Sequence, residues 1–105
     1  MYIAMNRFGV NAGHEDAFET TWRERNRYLD EVGGFVEFKL LRGETEDGVT
    51  PYVSHSTWDS HDTFVAWTRS DAFQKAHADA RSPKGTLAGP PHFSGWHVLM
   101  SEARS

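Results

Sequence analysis

Hydrophobic and polar positions change period several times along the chain. From Tyr2 to Val10, Ile3, Met5 and Val10 interleave with Tyr2, Ala4 and Phe8, and no breaker intrudes before Gly9. That predicts a strand, apolar on both faces apart from Asn6 and Arg7. After the turn at Asn11-Ala12-Gly13, Phe18, Trp22, Leu29 and Val32 are spaced by four, seven and three, which predicts an amphipathic helix over His14–Val32 stopped by Gly33-Gly34. Val36, Phe38 and Leu40 alternate with Glu37 and Lys39 in a second strand, Phe35–Leu41. A polar hairpin connection, Arg42–Pro51, leads to a third strand, Tyr52–Trp58, paired antiparallel to the second. Asp59-Ser60-His61-Asp62 is an acidic helix start ahead of Phe64, Val65 and Trp67, and Ser70 is placed to cap a second segment carrying Phe73, Ala76, His77 and Ala80. The pattern therefore predicts a broken or kinked helix. Ser82–Pro91, with Pro83, Gly85, Gly89, Pro90 and Pro91, reads as a mobile loop, and His92–Met100 as the last strand.

The order β-α-β-β-α-β is the split βαβ arrangement of the α+β ferredoxin-like class, an antiparallel sheet with its helices on one face. No repeat, low-complexity tract or linker divides the 105 residues, so one domain over 1–105 is expected. A chain of this length builds a modest core. The first and last strands carry large apolar residues at both parities, so the face away from the helices is expected to be hydrophobic and to pack against a second copy, giving a homodimeric α/β-barrel.

Composition narrows the chemistry. With 11 Lys and Arg against 15 Asp and Glu the net charge is −4, which offers no positive field to nucleic acid or an anionic membrane. The absence of Cys excludes disulfide scaffolds, zinc fingers, iron–sulfur sites and thiol catalysis, leaving His, Met and carboxylates as metal ligands. No basic leader with a long apolar stretch and no run near 18 apolar residues is found, so a cytoplasmic location is expected. Seven Phe, four Trp and three Tyr make 13% of the chain, a bulk that must be buried and that also suits a flat ligand.

Glycine-rich phosphate loops, dinucleotide fingerprints, nucleophile elbows and zinc-helix motifs are all missing. What remains is polar residues at positions where the pattern asks for apolar ones. Asn6 shares its parity with Tyr2, Ala4 and Phe8, and a buried amide left without hydrogen bonds costs about 1–3 kcal/mol. It is either a satisfied core amide or an amide aimed into a pocket between sheet and helices. His77 follows Phe73 by four, between the small Ala76 and Ala80, and is either a packed imidazole or a ligand. Trp67 lies ten residues before His77, roughly 80° away on an unbroken helix. A break at Ser70 can instead set the two on opposite walls of a cleft. Arg25 falls on the apolar stripe of the first helix, where it either snorkels outward or meets a ligand carboxylate.

Asn6 in Ala-Met-Asn-Arg-Phe, Gly34-Phe35, Trp58, and Ala66-Trp67-Thr68-Arg69-Ser70-Asp71-Ala72-Phe73-Gln74-Lys75-Ala76-His77 together resemble one family. They are similar to the IsdG-type haem-degrading monooxygenases of the antibiotic biosynthesis monooxygenase superfamily, especially the HmuQ-like haem oxygenases. The resemblance implies a ferredoxin-like domain dimerised through its sheets. It further implies a haem that is both cofactor and substrate, opened with O2 and electrons from an external donor or reductase to release iron. By motif, His77 is implied as the axial ligand of the haem iron, Asn6 as the distal hydrogen-bond donor and Trp67 as the side chain that distorts the ring. Trp22 and Phe73 are implied to line the pocket, and Arg25 to reach a propionate. Other strand rings, such as Phe38 and Phe93, are assigned to the core and the dimer barrel. Two alternatives keep the fold and change the chemistry: a cofactor-independent monooxygenase of a polycyclic aromatic or quinol substrate, and a non-enzymatic haem carrier or storage protein.

Overall fold

The computed structural model describes residues 1–24, 29, 33–78 and 84–104, and of residues 77 and 78 the backbone. Strand β1 (Tyr2–Asn11) is followed by helix α1 (Glu15–Glu24), strands β2 (Phe35–Arg42) and β3 (Val49–Trp58), helices α2 (His61–Thr68) and α3 (Asp71–Ala78), and strand β4 (His92–His97). The strands form one antiparallel sheet in the order β2-β3-β1-β4 with the helices on one face, the ferredoxin-like α+β arrangement that the residue pattern predicts. In α1 the side chains of Phe18 and Trp22 are buried on the sheet, and Glu15 and Asp16 sit in its first turn, where the helix dipole favours carboxylates. The expected continuation of this helix to Val32 lies, apart from Leu29, outside the described residues.

Several boundaries differ from the sequence expectation. The polar hairpin connection shortens to Gly43–Gly48 and ends in a tight turn at Asp47-Gly48, with φ of 51° and 76° between the bridged Glu46 and Val49, where β3 starts. Two left-handed residues match the strand twist, so the turn can be this tight. Pro51 is tolerated within β3 because it sits opposite Gly43, just past the end of β2, and still accepts that residue's N–H (2.9 Å). A bulge at Val36 shifts the β2–β3 register, so that Phe35 opposes Trp58 and Phe38 opposes Ser56 while Val36 is turned outward. The final strand is shorter than expected: β4 ends at His97, opposite Tyr2 at the start of β1, and Leu99 and Met100 beyond it are exposed.

The break between α2 and α3 is made by Ser70. Its hydroxyl donates to Trp67 O (2.6 Å), closing one helix, and accepts from Phe73 N (3.1 Å), opening the next. At the other end of α2, Ser60 and Thr63 form a reciprocal capping box. The expectation of a mobile loop before β4 is corrected over its second half. β1 runs to Asn11 whereas β4 pairs only as far as Arg7, so the backbone groups of Gly9 and Asn11 need partners. Residues 85–88 supply them: Ala88 N donates to Gly9 O (2.8 Å), Asn11 N to Thr86 O (2.9 Å) and Asn11 Nδ2 to Gly85 O (2.8 Å), with Thr86 wholly buried. The face away from the helices carries Ile3 and Met5 on β1 and Val53 on β3, interspersed with Arg7, His55 and Thr57, and adds the half-exposed Trp96 and Leu41. On β2, however, it carries the paired Glu37 and Lys39 (3.3 Å), so the hydrophobic area is narrower than predicted.

Candidate functional site

The side chains that β1 and β3 turn toward the helices form two facing rows. On β1 they are Tyr2, Ala4, Asn6, Phe8 and Val10; opposite them on β3 stand Trp58, Ser56, Ser54, Tyr52 and Thr50. Rings and branched groups occupy both ends, and small or polar groups the middle. The core is accordingly split in two. One cluster gathers Tyr2, Trp58, Trp67 and Ala76 with Phe35, Phe64 and Phe73 at its margin, and the other Val10, Phe18, Trp22 and Tyr52 with Phe8, Phe38, Leu40 and Leu87.

Between the clusters opens a cleft of about 400 Å3, within the range of roughly 300–1,000 Å3 usual for small-molecule sites. Its floor is Ala4, Asn6, Ser54 and Ser56, and its walls are Trp22, Leu29, Phe38, Phe64, Trp67, Thr68, Phe73 and Phe93. The walls are held by ring contacts. Trp67 stacks on Trp58 (6.0 Å between centroids, 27°) and meets Phe73 edge-on (5.5 Å, 83°). Phe64 stacks on Phe93 (5.7 Å, 7°), and Trp22 on Phe38 (5.6 Å, 16°). Such pairs fix ring planes as well as burying area.

The polar groups on the floor differ in commitment. Ser56 Oγ accepts from Trp58 Nε1 (2.9 Å). Among the described residues, neither the Asn6 carboxamide nor the Ser54 hydroxyl, which face each other across β1 and β3, has a hydrogen-bond partner. An amide on the floor of an apolar cleft without a partner is a donor and acceptor available to whatever fills it. None of the described lining residues is charged.

A second cavity of about 370 Å3 adjoins the first, with the Trp22–Phe38 stack in the wall of both. It carries the charges the first lacks. Glu19 Oε2 accepts from Tyr52 Oη (2.5 Å) and from Arg42 Nη1 (3.0 Å), while Arg23 Nη2 lies 3.4 Å from Glu19 Oε1. The phenol donating to it, with the two guanidinium charges nearby, holds the Glu19 carboxyl below the usual carboxylate range. Burial, reinforced by that hydrogen bond to a carboxylate, pushes the Tyr52 phenol up to about 12.

Of the residues singled out in the sequence, Asn6, Trp22, Trp67 and Phe73 converge on the cleft. His77 is in the last turn of α3, one turn beyond Phe73. Arg25 lies outside the described residues. His14, His55, His61, His92 and His97 do not line the cleft, and among the described residues no group of three or more His, Asp or Glu is arranged to hold a metal ion. Phe38, packed at the margin of the second core cluster, and the half-exposed Phe93, expected in the core and the barrel, also form cleft walls. Phe64, Leu29 and Ser54 carried no signal of their own in the sequence, since their place depends on register and on the helix break.

Residues 1–79 match the model of the family described as "Antibiotic biosynthesis monooxygenase". A protein of Staphylococcus saprophyticus named "Heme oxygenase (staphylobilin-producing)" is 29% identical over 77 residues, 73% of each chain. Among solved structures, the heme-degrader MhuD of Mycobacterium tuberculosis with two hemes in its active site superposes with a TM-score of 0.76 at 24% identity, covering 98% of this chain and all of that one. SnoaB, a cofactor-independent oxygenase of Streptomyces nogalater, does so at 0.68 and 22% identity, over 95% and 94%.

The Tyr52–Glu19 pair sets a pH dependence. The folded phenol ionises about two units above its ordinary value of 10.0, so its contribution to stability is complete below pH 10 and is lost as the pH rises toward 12. Denaturant titrations between pH 8 and 12 are expected to show a loss of roughly 1–2 kcal/mol over that window. Tyr52→Phe is expected to flatten it; an unchanged alkaline limb contradicts the assignment.

Proposed function

The chain belongs to the antibiotic biosynthesis monooxygenase family, and from that premise we propose that it is a haem-degrading oxygenase, which takes haem as its substrate in the cleft and opens the ring with O2 and an external reductant, releasing iron. The observation that carries this reading is the aromatic-walled cleft with the unpartnered Asn6 carboxamide on its floor. Haem is large, flat and mostly apolar, and it needs rings or aliphatic groups on both faces, one imidazole and a hydrogen-bond donor. The described residues of the cleft supply the rings and the hydrogen-bond donor, and the imidazole is assigned to His77. The similarity to a named heme oxygenase, at 29% identity, supports the same choice.

In this reading His77 is the axial ligand of the haem iron, carried one turn beyond Phe73 on α3. Asn6 is the distal donor, and its side chain has nothing else among the described residues to bond. Trp67, backed by Trp58, is a rigid surface that presses the ring out of plane, while Trp22 and Phe73 bound it at the sides. Arg25, which follows α1 in sequence, is assigned to a propionate. Bound haem supplies a redox-active iron and is itself the molecule oxidised, so the protein contributes orientation, distortion and exclusion of water.

The reductant is an external small molecule or a reductase, and the reaction belongs in the cytoplasm. Among the described residues no helix is long and apolar enough to cross a membrane. A homodimer formed through the free face of the sheet completes the proposal, since Ile3, Met5, Val53 and Trp96 are otherwise left to water. Sedimentation at micromolar concentration is expected to give about 24 kDa, twice the chain mass of 11.9 kDa; a monomer contradicts the dimer.

Haem titration followed by ascorbate under air tests the enzymatic claim. The wild-type protein is expected to bind haem with a histidine-type Soret spectrum and then to lose the Soret band. Asn6→Ala is expected to bind haem within a few-fold of wild type and to bleach it on the order of tenfold or more slowly, whereas His77→Ala loses the axial spectrum. A Soret band that survives reductant and oxygen overturns the oxygenase reading, and haem loss to an acceptor protein faster than bleaching points to a carrier. Failure to bind haem returns the cleft to the cofactor-independent reading, for which SnoaB has the same fold.

A further inference from the structure

We propose that Ser54 is a second hydrogen-bonding group of the ligand site, placed beside Asn6 on the cleft floor to donate to a small electron-rich ligand held against the haem; the inference rests on the haem reading above. Among the described residues three hydroxyl groups line the cleft, those of Ser54, Ser56 and Thr68. Two of them are committed to the fold. Ser56 Oγ accepts from Trp58 Nε1 (2.9 Å) and donates to Ala4 O (3.4 Å), while Thr68 Oγ1 donates to Val65 O (2.7 Å). Ser54 Oγ has no such partner among the described residues, although the residue is only 7% exposed.

A hydroxyl withdrawn from bulk water that bonds to nothing is unfavourable, and an alanine would keep the floor equally low without that cost. The need for space therefore accounts for a small residue at this position but not for a serine. Register then places the hydroxyl. Ser54 stands directly opposite Asn6 across β3 and β1, which sets their Cβ atoms about 4.5–5.5 Å apart on the face toward the helices. The next pair along the rows, Tyr52 with Phe8, is large and closes the floor on one side, whereas Ser56 with Ala4 is small and leaves it open on the other. A ligand atom above the seam between the two strands thus meets two polar groups rather than one. These groups are complementary. The carboxamide presents two N–H donors and a carbonyl in a fixed plane, while the hydroxyl rotates and can accept from a water molecule as it donates to the ligand. The class of ligand that suits both is a small acceptor rich in lone pairs, such as a monatomic anion or an oxygen atom carrying negative charge.

The test is fluoride binding to the protein loaded with ferric haem, followed by the change in the visible spectrum. Fluoride is a single acceptor atom that is held more tightly where donors surround it, and its binding reads Ser54 whether or not the ring is later opened. Ser54→Ala is expected to bind haem within about twofold of wild type and fluoride about three- to tenfold more weakly, the scale of one hydrogen bond. Ser54→Thr, which restores the hydroxyl, is expected to return the fluoride affinity to within about twofold of wild type. In an Asn6→Ala background the loss on removing the Ser54 hydroxyl is expected to persist at about twofold or more, since that hydroxyl meets the ligand itself. Unchanged fluoride affinity in Ser54→Ala overturns the assignment while the haem reading stands. So does a loss that Ser54→Thr fails to reverse, or one that vanishes in the Asn6→Ala background and so reduces Ser54 to a support for the carboxamide. If haem does not bind, the haem reading fails and the role of Ser54 with it.

Discussion

Four small or polar side chains at mid-sheet, Ala4 and Asn6 on β1 opposite Ser56 and Ser54 on β3, keep the two halves of the core from meeting. Interiors normally close to crystal-like density, and a gap of about 400 Å3 in so short a chain survives because nothing in this stretch of strand is large enough to fill it. Everything else about the site follows from that interruption. The rings at the two ends of the rows, Trp58 and Tyr52 above all, anchor separate clusters, and the faces these clusters turn toward each other become the cleft walls. Filling the floor with leucines would join the clusters and, with them, abolish the site.

The helices supply what the sheet cannot. A single unbroken helix over residues 61–78 would run past the cleft, with Trp67 and Phe73 on a continuous spiral. Ser70 ends one helix and starts another with the same hydroxyl, and the change of direction brings the two rings into edge-on contact beside the floor. On the opposite wall Trp22 is held from below by the second cluster and from the side by Phe38, and three positions away on α1 the Glu19–Tyr52–Arg42 network ties the helix to the sheet. Neutral donors in one cavity and charged groups in its neighbour are thus parts of a single packing arrangement, with the Trp22–Phe38 stack as the partition.

Much of this was legible in the sequence, and the exceptions have physical causes. Alternation and cap residues suffice for the element order, and an amide among apolar strand positions suffices to single out Asn6. The bulge at Val36 was hidden, because a one-residue slip depends on which of Phe35 and Val36 packs better against Trp58 in three dimensions. For the same reason Phe38 and Phe93 looked like core or barrel residues: their exposure to a cavity depends on what stands opposite, and cross-strand pairs such as Asn6 with Ser54 cannot be read from one segment alone. Residues 85–88, flanked by Pro83, Gly89, Pro90 and Pro91, gave no hint that Thr86 and Leu87 would be bound along the end of β1. The charged cavity escaped notice because Glu19, Arg23 and Arg42 read singly as ordinary surface residues.

The central claim is that the cleft destroys the haem it binds, rather than holding it or ignoring it. Its most direct measurement is iron release during a single turnover. Protein loaded with haem is given reductant and air in the presence of a chromogenic ferrous chelator held outside the protein, and the released iron is compared with the haem consumed. The account predicts iron release in step with haem loss, about one iron for each ring opened, together with an open-chain tetrapyrrole as the coloured product. Haem recovered intact, or bleached without release of iron to the chelator, contradicts it.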